Sequence, residues 1–103
     1  MGDYKLTPEC ITAYGRYLKQ EEKSTATQEK YLRDITVFVR WLGSSPVTKE
    51  NVTGWKEHLQ AEGRAPTTIN TALSALNGLF RFLGWEGCRA KFLKIQRRMF
   101  RDQ

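Results

Sequence analysis

Short polar side chains suited to nucleic-acid contacts recur on one side of a predicted helix late in the chain. They are Thr67, Asn70, Thr71 and Ser74. Hydroxyl and amide groups hydrogen-bond phosphate oxygens and base edges at close range, although Glu and Lys are better helix formers. No acidic residue occurs in the 23 residues between Glu62 and Glu86, so no carboxylate on this face repels a polyanion. The pattern predicts contact with phosphates or bases, and the alternative is a weakly polar exposed face without a ligand.

An earlier predicted helix carries a second set of candidate phosphate contacts. Its cations opposite the apolar stripe are Lys30, Arg33 and Arg40. The helix start, residues 23–27, combines a lysine and hydroxyls (including Thr25 and Thr27) with the free N–H groups of a helix N-terminus, which is a suitable phosphate seat. The alternative is an ordinary charged face, because Glu29 and Asp34 dilute the positive charge.

Positive charge is concentrated at the C-terminal end. The 103 residues hold 17 Lys+Arg and 11 Asp+Glu, for a net charge of +6. Residues 1–87 contain 11 basic and 10 acidic residues, whereas residues 88–103 contain six basic residues and one acidic residue. The six are Arg89, Lys91, Lys94, Arg97, Arg98 and Arg101. This tail can neutralise several phosphates, and the alternative is a solvated linker with apolar anchors.

Residue types needed for catalysis or metal binding are scarce. The single histidine, His58, has no nearby nucleophile and is interpreted as a surface residue. Cys10 and Cys88 are interpreted as reduced, structural thiols, and with one histidine they fall short of the roughly four ligands of a zinc site. Tyr14 and Tyr31 are interpreted as core or capping residues. We therefore expect no metal, no cofactor and no catalysis by this chain alone.

The elements that position these residues are predicted to be α-helices, because no useful period-2 pattern is present. The helices are predicted from an N-cap at Thr7 to the Glu21–Lys23 run, from Ser24 or Thr25 to Gly43, from Thr48 to Gly63, and from Pro66 or Thr67 to Leu83. Thr25 and Gln28 have the spacing of a capping box. Residues from about 89 to 100 form either a short helix docked on the body or a linker ordered only by a partner. Short connections predict an all-α, compact bundle of four helices over residues 1–87, followed by the basic tail 88–103.

The length fits one domain, and no apolar run approaches the roughly 18 residues of a membrane span. Residues 1–6 lack the apolar stretch of a signal peptide. We therefore expect a soluble, cytoplasmic protein without a membrane partner.

Three segments resemble the core-binding, or SAM-like, N-terminal domain of tyrosine recombinases (phage-type integrases). Gly63–Leu76 resembles the family's "G-x-s-x-x-T-I-x-x-x-L-s-x-L" helix, with Ala65 in place of the small capping residue. Ser24–Leu42 resembles its "T-x-x-x-Y-x-x-x-L-x-x-F-x-x-F/W-L" helix, and Val52–Gly63 fits the helix between them. The resemblance extends over about residues 11–99. The catalytic half is absent, since the histidine is followed by Leu-Gln-Ala and not by the family's HxxR pattern.

The resemblance implies a DNA-binding domain of a phage or other mobile-element integrase that clamps double-stranded DNA at a core site, supporting DNA integration and recombination. The implied partners are DNA, the catalytic domain of the same parent chain and other integrase protomers. The expected DNA-binding residues are Thr25, Thr27, Lys30, Arg33, Arg64, Thr67, Asn70, Thr71, Ser74, Lys91, Lys94, Arg97 and Arg98. Thr67 and Thr71 are short, which favours phosphate contact over base readout. The alternatives are a protein-interaction module that docks through its apolar and basic tail, and a helix-turn-helix repressor, which the connection ending in Pro66 disfavours.

Overall fold

A computed structural model describes residues 4–93, which fold as a helical bundle. The α-helices are α1 (Pro8–Gln20), α2 (Thr25–Leu42), α3 (Lys49–Ala61) and α4 (Pro66–Leu83), followed by a 3₁₀ turn at Glu86–Cys88. The β-type backbone pairing among the described residues is limited to an isolated antiparallel bridge between Tyr4 and Val47. The predicted all-α class is confirmed. None of the helices in residues 4–93 is long and apolar enough to cross a bilayer.

Local capping signals set the starts of the first three helices. The side chains of Thr7, Ser24 and Thr48 each accept a hydrogen bond from a backbone N–H three residues later. The predicted caps Thr7 and Thr48 are confirmed, whereas the predicted Thr25–Gln28 capping box is wrong by one residue. Ser24 is extended (φ −63°, ψ 156°), so its Oγ reaches the N–H of the residue three positions on, while Thr25 is already helical. The Gln28 amide instead donates to the Lys23 carbonyl at 2.8 Å.

The centre of the core is α4, which packs against the other three helices. Its buried residues are Ile69, Ala72, Leu73, Ala75, Leu76, Leu79 and Phe80. Ile35 and Phe38 of α2, Leu18 of α1 and Val52 of α3 complete the same apolar cluster. Tyr14 is also fully buried, which confirms its assignment to the core. The apolar stripes predicted from helical spacing therefore face one another.

The chain reverses after α4 and returns along it. Gly84 ends the helix in the left-handed conformation (φ +81°), which suits a residue without a Cβ. Trp85 then stacks on Tyr4 at 4.5 Å between ring centroids. Cys88 and Ala90 are buried in the common core. Residues 89–93 are neither helical nor a strand but packed on the bundle, and the expected boundary at residue 87 remains a prediction.

Candidate nucleic-acid interface

A groove of about 240 Å³ lies between α2, α3 and the start of α4. Its polar rim consists of Lys30, Arg33, Asp34, Arg64 and Thr68. Its apolar wall consists of Val37, Trp55, Leu59, Ile69 and Ala72. The structure thus brings together three of the predicted DNA-binding residues, all cations, from segments about 30 residues apart in the chain.

The cations of this groove are only partly neutralised. Lys30 Nζ lies 3.2 Å from Asp34, and Arg64 Nε lies 3.2 Å from Glu62, which also contacts His58. The side chains of Lys30 and Arg64 stay 41% and 53% exposed. The Arg64–Glu62 pair is exposed on both sides and contributes about 0–1 kcal/mol, so Arg64 can turn from Glu62 to an incoming phosphate. Asp34 is only 16% exposed, so Lys30 is the more firmly paired of the two cations.

Arg33 is the third cation of the groove and is exposed. Among residues 4–93 it pairs with no carboxylate. Its guanidinium group is therefore free to bind a phosphate in bidentate geometry. Further along α2, Arg40 borders a shallow surface with Arg33 and Val37, outside the groove.

The N-terminus of α4 is open beside the groove. Ala65 is the N-cap residue and supplies no side-chain hydrogen bond, and Pro66 has no N–H. Thr67 and Thr68 follow, and both are exposed. Because the first N–H groups of a helix have no partner within the helix and carry partial positive charge, this end attracts an anion.

The hydroxyl-rich face of α4 is less available for nucleic-acid contacts than the sequence suggests, because most of its polar groups already have hydrogen-bond partners. The Asn70 amide makes two hydrogen bonds to the backbone of Leu93, and Ser74 Oγ lies 3.2 Å from the hydroxyl of Tyr31. The Thr71 hydroxyl donates to the carbonyl of Thr67. Of the four predicted residues on this face, Thr67 is exposed, whereas Asn70, Thr71 and Ser74 are half-buried.

The predicted phosphate seat at the start of α2 is partly occupied by its own cap. The Thr27 N–H donates to Ser24 Oγ at 3.1 Å, and the two hydroxyls are 3.0 Å apart. Thr25 is exposed. In the tail, Lys91 is exposed, whereas Lys94, Arg97 and Arg98 lie outside the described residues.

Thr68 is missing from the predicted set although it lies on the groove rim. It precedes Ala72 by four residues and therefore continues the apolar stripe of α4 into its first turn. In the structure this position is exposed and borders the groove, so the signal that the sequence offers for Thr68 is a polar residue at a stripe position in the first turn.

No group of three or more His, Cys, Asp and Glu side chains within residues 4–93 is arranged to hold a metal ion. His58 stacks on Trp55 with 5.5 Å between ring centroids and pairs with Glu62, so its contacts are structural. Cys10 and Cys88 are free thiols. Burial raises the pKa of the Cys88 thiol, which disfavours the reactive thiolate.

Comparison with known proteins identifies one family. The family model described as "Phage integrase, N-terminal SAM-like domain" matches residues 11–87, most of the chain and all four helices from the second turn of α1 onward. Comparison with curated proteins finds no match. The family agrees with the all-α bundle and with the three resembling segments. The chain therefore belongs to the phage integrase N-terminal SAM-like domain family.

Proposed function

We propose that this chain is the core-binding domain of a site-specific tyrosine recombinase and binds duplex DNA at the recombination core site. The observation that carries the proposal is the open N-terminus of α4 beside Arg64, facing Lys30 and Arg33 across one groove. Two kinds of phosphate ligand, side-chain cations and helix N–H groups, thus converge on one surface.

The contacts of this surface favour the DNA backbone over the bases. The cations of the groove and the exposed Thr67 and Thr68 at the helix start suit phosphate oxygens. Asn70, the one predicted contact that could read adenine in bidentate fashion, has its amide engaged by Leu93. The domain would therefore contribute affinity and register, with modest sequence preference of its own.

The chemistry of strand exchange would come from the catalytic domain of the parent protein. This chain would act as the non-catalytic half of a clamp, and its partners would be that domain, DNA and other protomers. Its predicted basic tail, residues 88–103, would add phosphate contacts between the two halves.

The competing hypothesis of a protein-docking tail gains no support from the described residues. Leu93 packs against the core of its own chain, and Phe92 alone is exposed among the apolar tail residues described, at 53%. Met99 and Phe100 lie outside the described residues. A single exposed aromatic residue is ordinary for a protein surface.

An NMR titration of the 103-residue chain with a core-site duplex tests the proposal. We expect amide shifts at Lys30, Arg33, Arg64, Thr67 and Thr68, with an apparent affinity that falls steeply as salt rises. A duplex of unrelated sequence is the control and should bind to the same surface more weakly. Shifts confined to α1 and to the part of α3 outside the groove, with none at the residues that line the groove, would refute the placement.

A further inference from the structure

The strap, which we define as residues 89–93, has neither helical nor strand structure and runs between α3 and α4. Arg89 begins it with φ −68° and ψ 142°. Ala90 is buried, Leu93 packs against the core, and Phe92 is exposed. Since the strap is not paired with any strand in residues 4–93, its backbone polar groups need side-chain partners.

Two asparagines of α4 supply those partners, and each makes two hydrogen bonds to the backbone of one strap residue. Asn77 donates to the Ala90 carbonyl at 2.9 Å and accepts from the Ala90 N–H at 3.0 Å. Asn70 donates to the Leu93 carbonyl at 3.0 Å and accepts from the Leu93 N–H at 2.8 Å. Each amide thus binds one strap residue as a neighbouring β-strand would.

The spacing of the two pairs fits an extended chain. Seven residues of α-helix rise about 10.5 Å, and three residues of extended chain span about 10 Å. Asn70 and Asn77 are seven residues apart, and Ala90 and Leu93 are three apart. Because the later strap residue pairs with the earlier asparagine, the strap runs antiparallel to α4. The matching lengths allow both pairs to form at the same time.

Two lysines of α3 hold the opposite side of the strap. Lys49 Nζ donates to the Arg89 carbonyl and Lys56 Nζ donates to the Lys91 carbonyl, each at 2.8 Å. Arg89 has polyproline II dihedrals, and such a chain completes a turn every three residues. This period puts residues 90 and 93 on the side of α4 and leaves the carbonyls of residues 89 and 91 to face α3.

The pairing of the strap with α4 places Leu93, the last described residue, near the start of α4. Leu93 lies against Asn70, which is three residues, or about 4.5 Å of helix rise, from Thr67. Phe92 lines one shallow surface pocket together with Thr71 and Ser74 of α4. Leu93, the last residue described, therefore lies about one helical turn from the proposed phosphate site at the start of α4, and the basic residues follow it in the sequence.

We infer that Asn70 and Asn77 are positioning residues, which hold the strap in register and so deliver the basic segment after Leu93 to DNA bound at the start of α4. This inference rests on the proposed function. It also assigns Asn70 a role different from direct base contact.

Amide hydrogen exchange of the 103-residue chain tests the register. Asn77→Ala should accelerate exchange of the Ala90 amide, and Asn70→Ala that of the Leu93 amide, each by roughly 10- to 50-fold, because the substitution removes both hydrogen bonds of one pair. Thr36→Ala, which removes a hydroxyl bonded within α2, is the matched control and should leave both amides protected. Unchanged exchange of Ala90 and Leu93 in the asparagine variants would overturn the inference.

A double-mutant cycle on duplex affinity tests the delivery of the basic segment. Arg97→Ala with Arg98→Ala should weaken binding by roughly 10-fold in the parent chain, and by much less when Asn70 and Asn77 are both alanine. Equal losses in the two backgrounds would show that the strap does not position these cations. Failure of the parent chain to bind any duplex would refute the proposed function and the delivery to DNA, while hydrogen exchange would still decide the register.

Discussion

The hydroxyl of Tyr14 on α1 packs directly against Gly78 on α4, so closely that a Cβ at position 78 would overlap it. Tyr14 is only 2% exposed, and its ring lies 5.6 Å from that of Phe82 and 5.9 Å from that of Tyr17, measured between centroids. Tyr17 and Phe82 also lie 4.9 Å from each other, so the three rings form one cluster in which the buried Tyr14 side chain has little room to tilt. The glycine is required by this contact between helices, although glycine is otherwise unfavourable inside a helix.

Gly78→Ala should therefore destabilise the domain by about 1–3 kcal/mol, although alanine has the higher helix propensity. In a Tyr14→Phe background the obstructing hydroxyl is gone, so the same substitution should be neutral or stabilising by up to about 1 kcal/mol. Urea unfolding of the four chains of this cycle measures the difference. Equal effects of Gly78→Ala in both backgrounds would show that the hydroxyl contact is unimportant.

The same burial makes stability sensitive to alkaline pH. Burial, with smaller contributions from Tyr31 and Tyr17, raises the pKa of Tyr14 from 10.0 to about 12. Below pH 10 both the folded and unfolded chains keep the phenol protonated, and this contribution to stability is fully present. Between pH 10 and 12 only the unfolded chain ionises it, so the free energy of unfolding should fall by at most about 2–3 kcal/mol.

Tyr14→Phe removes this titration, so the loss of stability between pH 9 and 12 should be smaller in the variant than in the parent. Urea unfolding at several pH values measures the difference and cancels the contributions of the other titrating groups. An identical pH dependence in the two chains would contradict the assignment to Tyr14.

Removing positive charge from the groove should weaken DNA binding and make it less dependent on salt. Arg33→Ala and Arg64→Ala should each reduce the slope of log K against log salt by about 0.9 for every phosphate that the variant no longer neutralises. Arg16→Ala removes the same charge from an exposed position on α1 that does not line the groove, and should change the slope little. Fluorescence anisotropy with a core-site duplex at several salt concentrations distinguishes these outcomes. Equal effects of the three substitutions would indicate nonspecific attraction by net charge.

The helix boundaries could be predicted from the sequence because they depend on local chemistry. Thr7 with Pro8, Thr48, and Gly84 act within one turn of their own positions, and each does so in the structure. The apolar stripes were equally predictable, since helical periodicity alone places Leu73 and Leu76 on one side.

The roles of Asn70 and Gly78 could not be predicted, because they depend on what the fold brings against α4. A helical wheel assigns both to the outer face. Asn70 instead binds Leu93, 23 residues later in the sequence, and Gly78 faces α1. The clustering of Arg33 with Arg64 likewise requires the packing of α2 beside the start of α4, which no local signal specifies.

The open start of α4 allows helix stability and DNA affinity to be changed in opposite directions. Ala65→Asp would supply the missing side-chain cap and place a negative charge at the positive end of the helix, raising the free energy of unfolding by about 1 kcal/mol. The same carboxylate would occupy and repel the proposed phosphate site beside Arg64, so duplex affinity should fall. Ala65→Ser is the matched control, because it supplies a cap without charge and should reduce affinity far less. Urea unfolding and anisotropy measure the two quantities, and a stabilised Ala65→Asp chain with unchanged DNA affinity would show that no phosphate binds at this helix end.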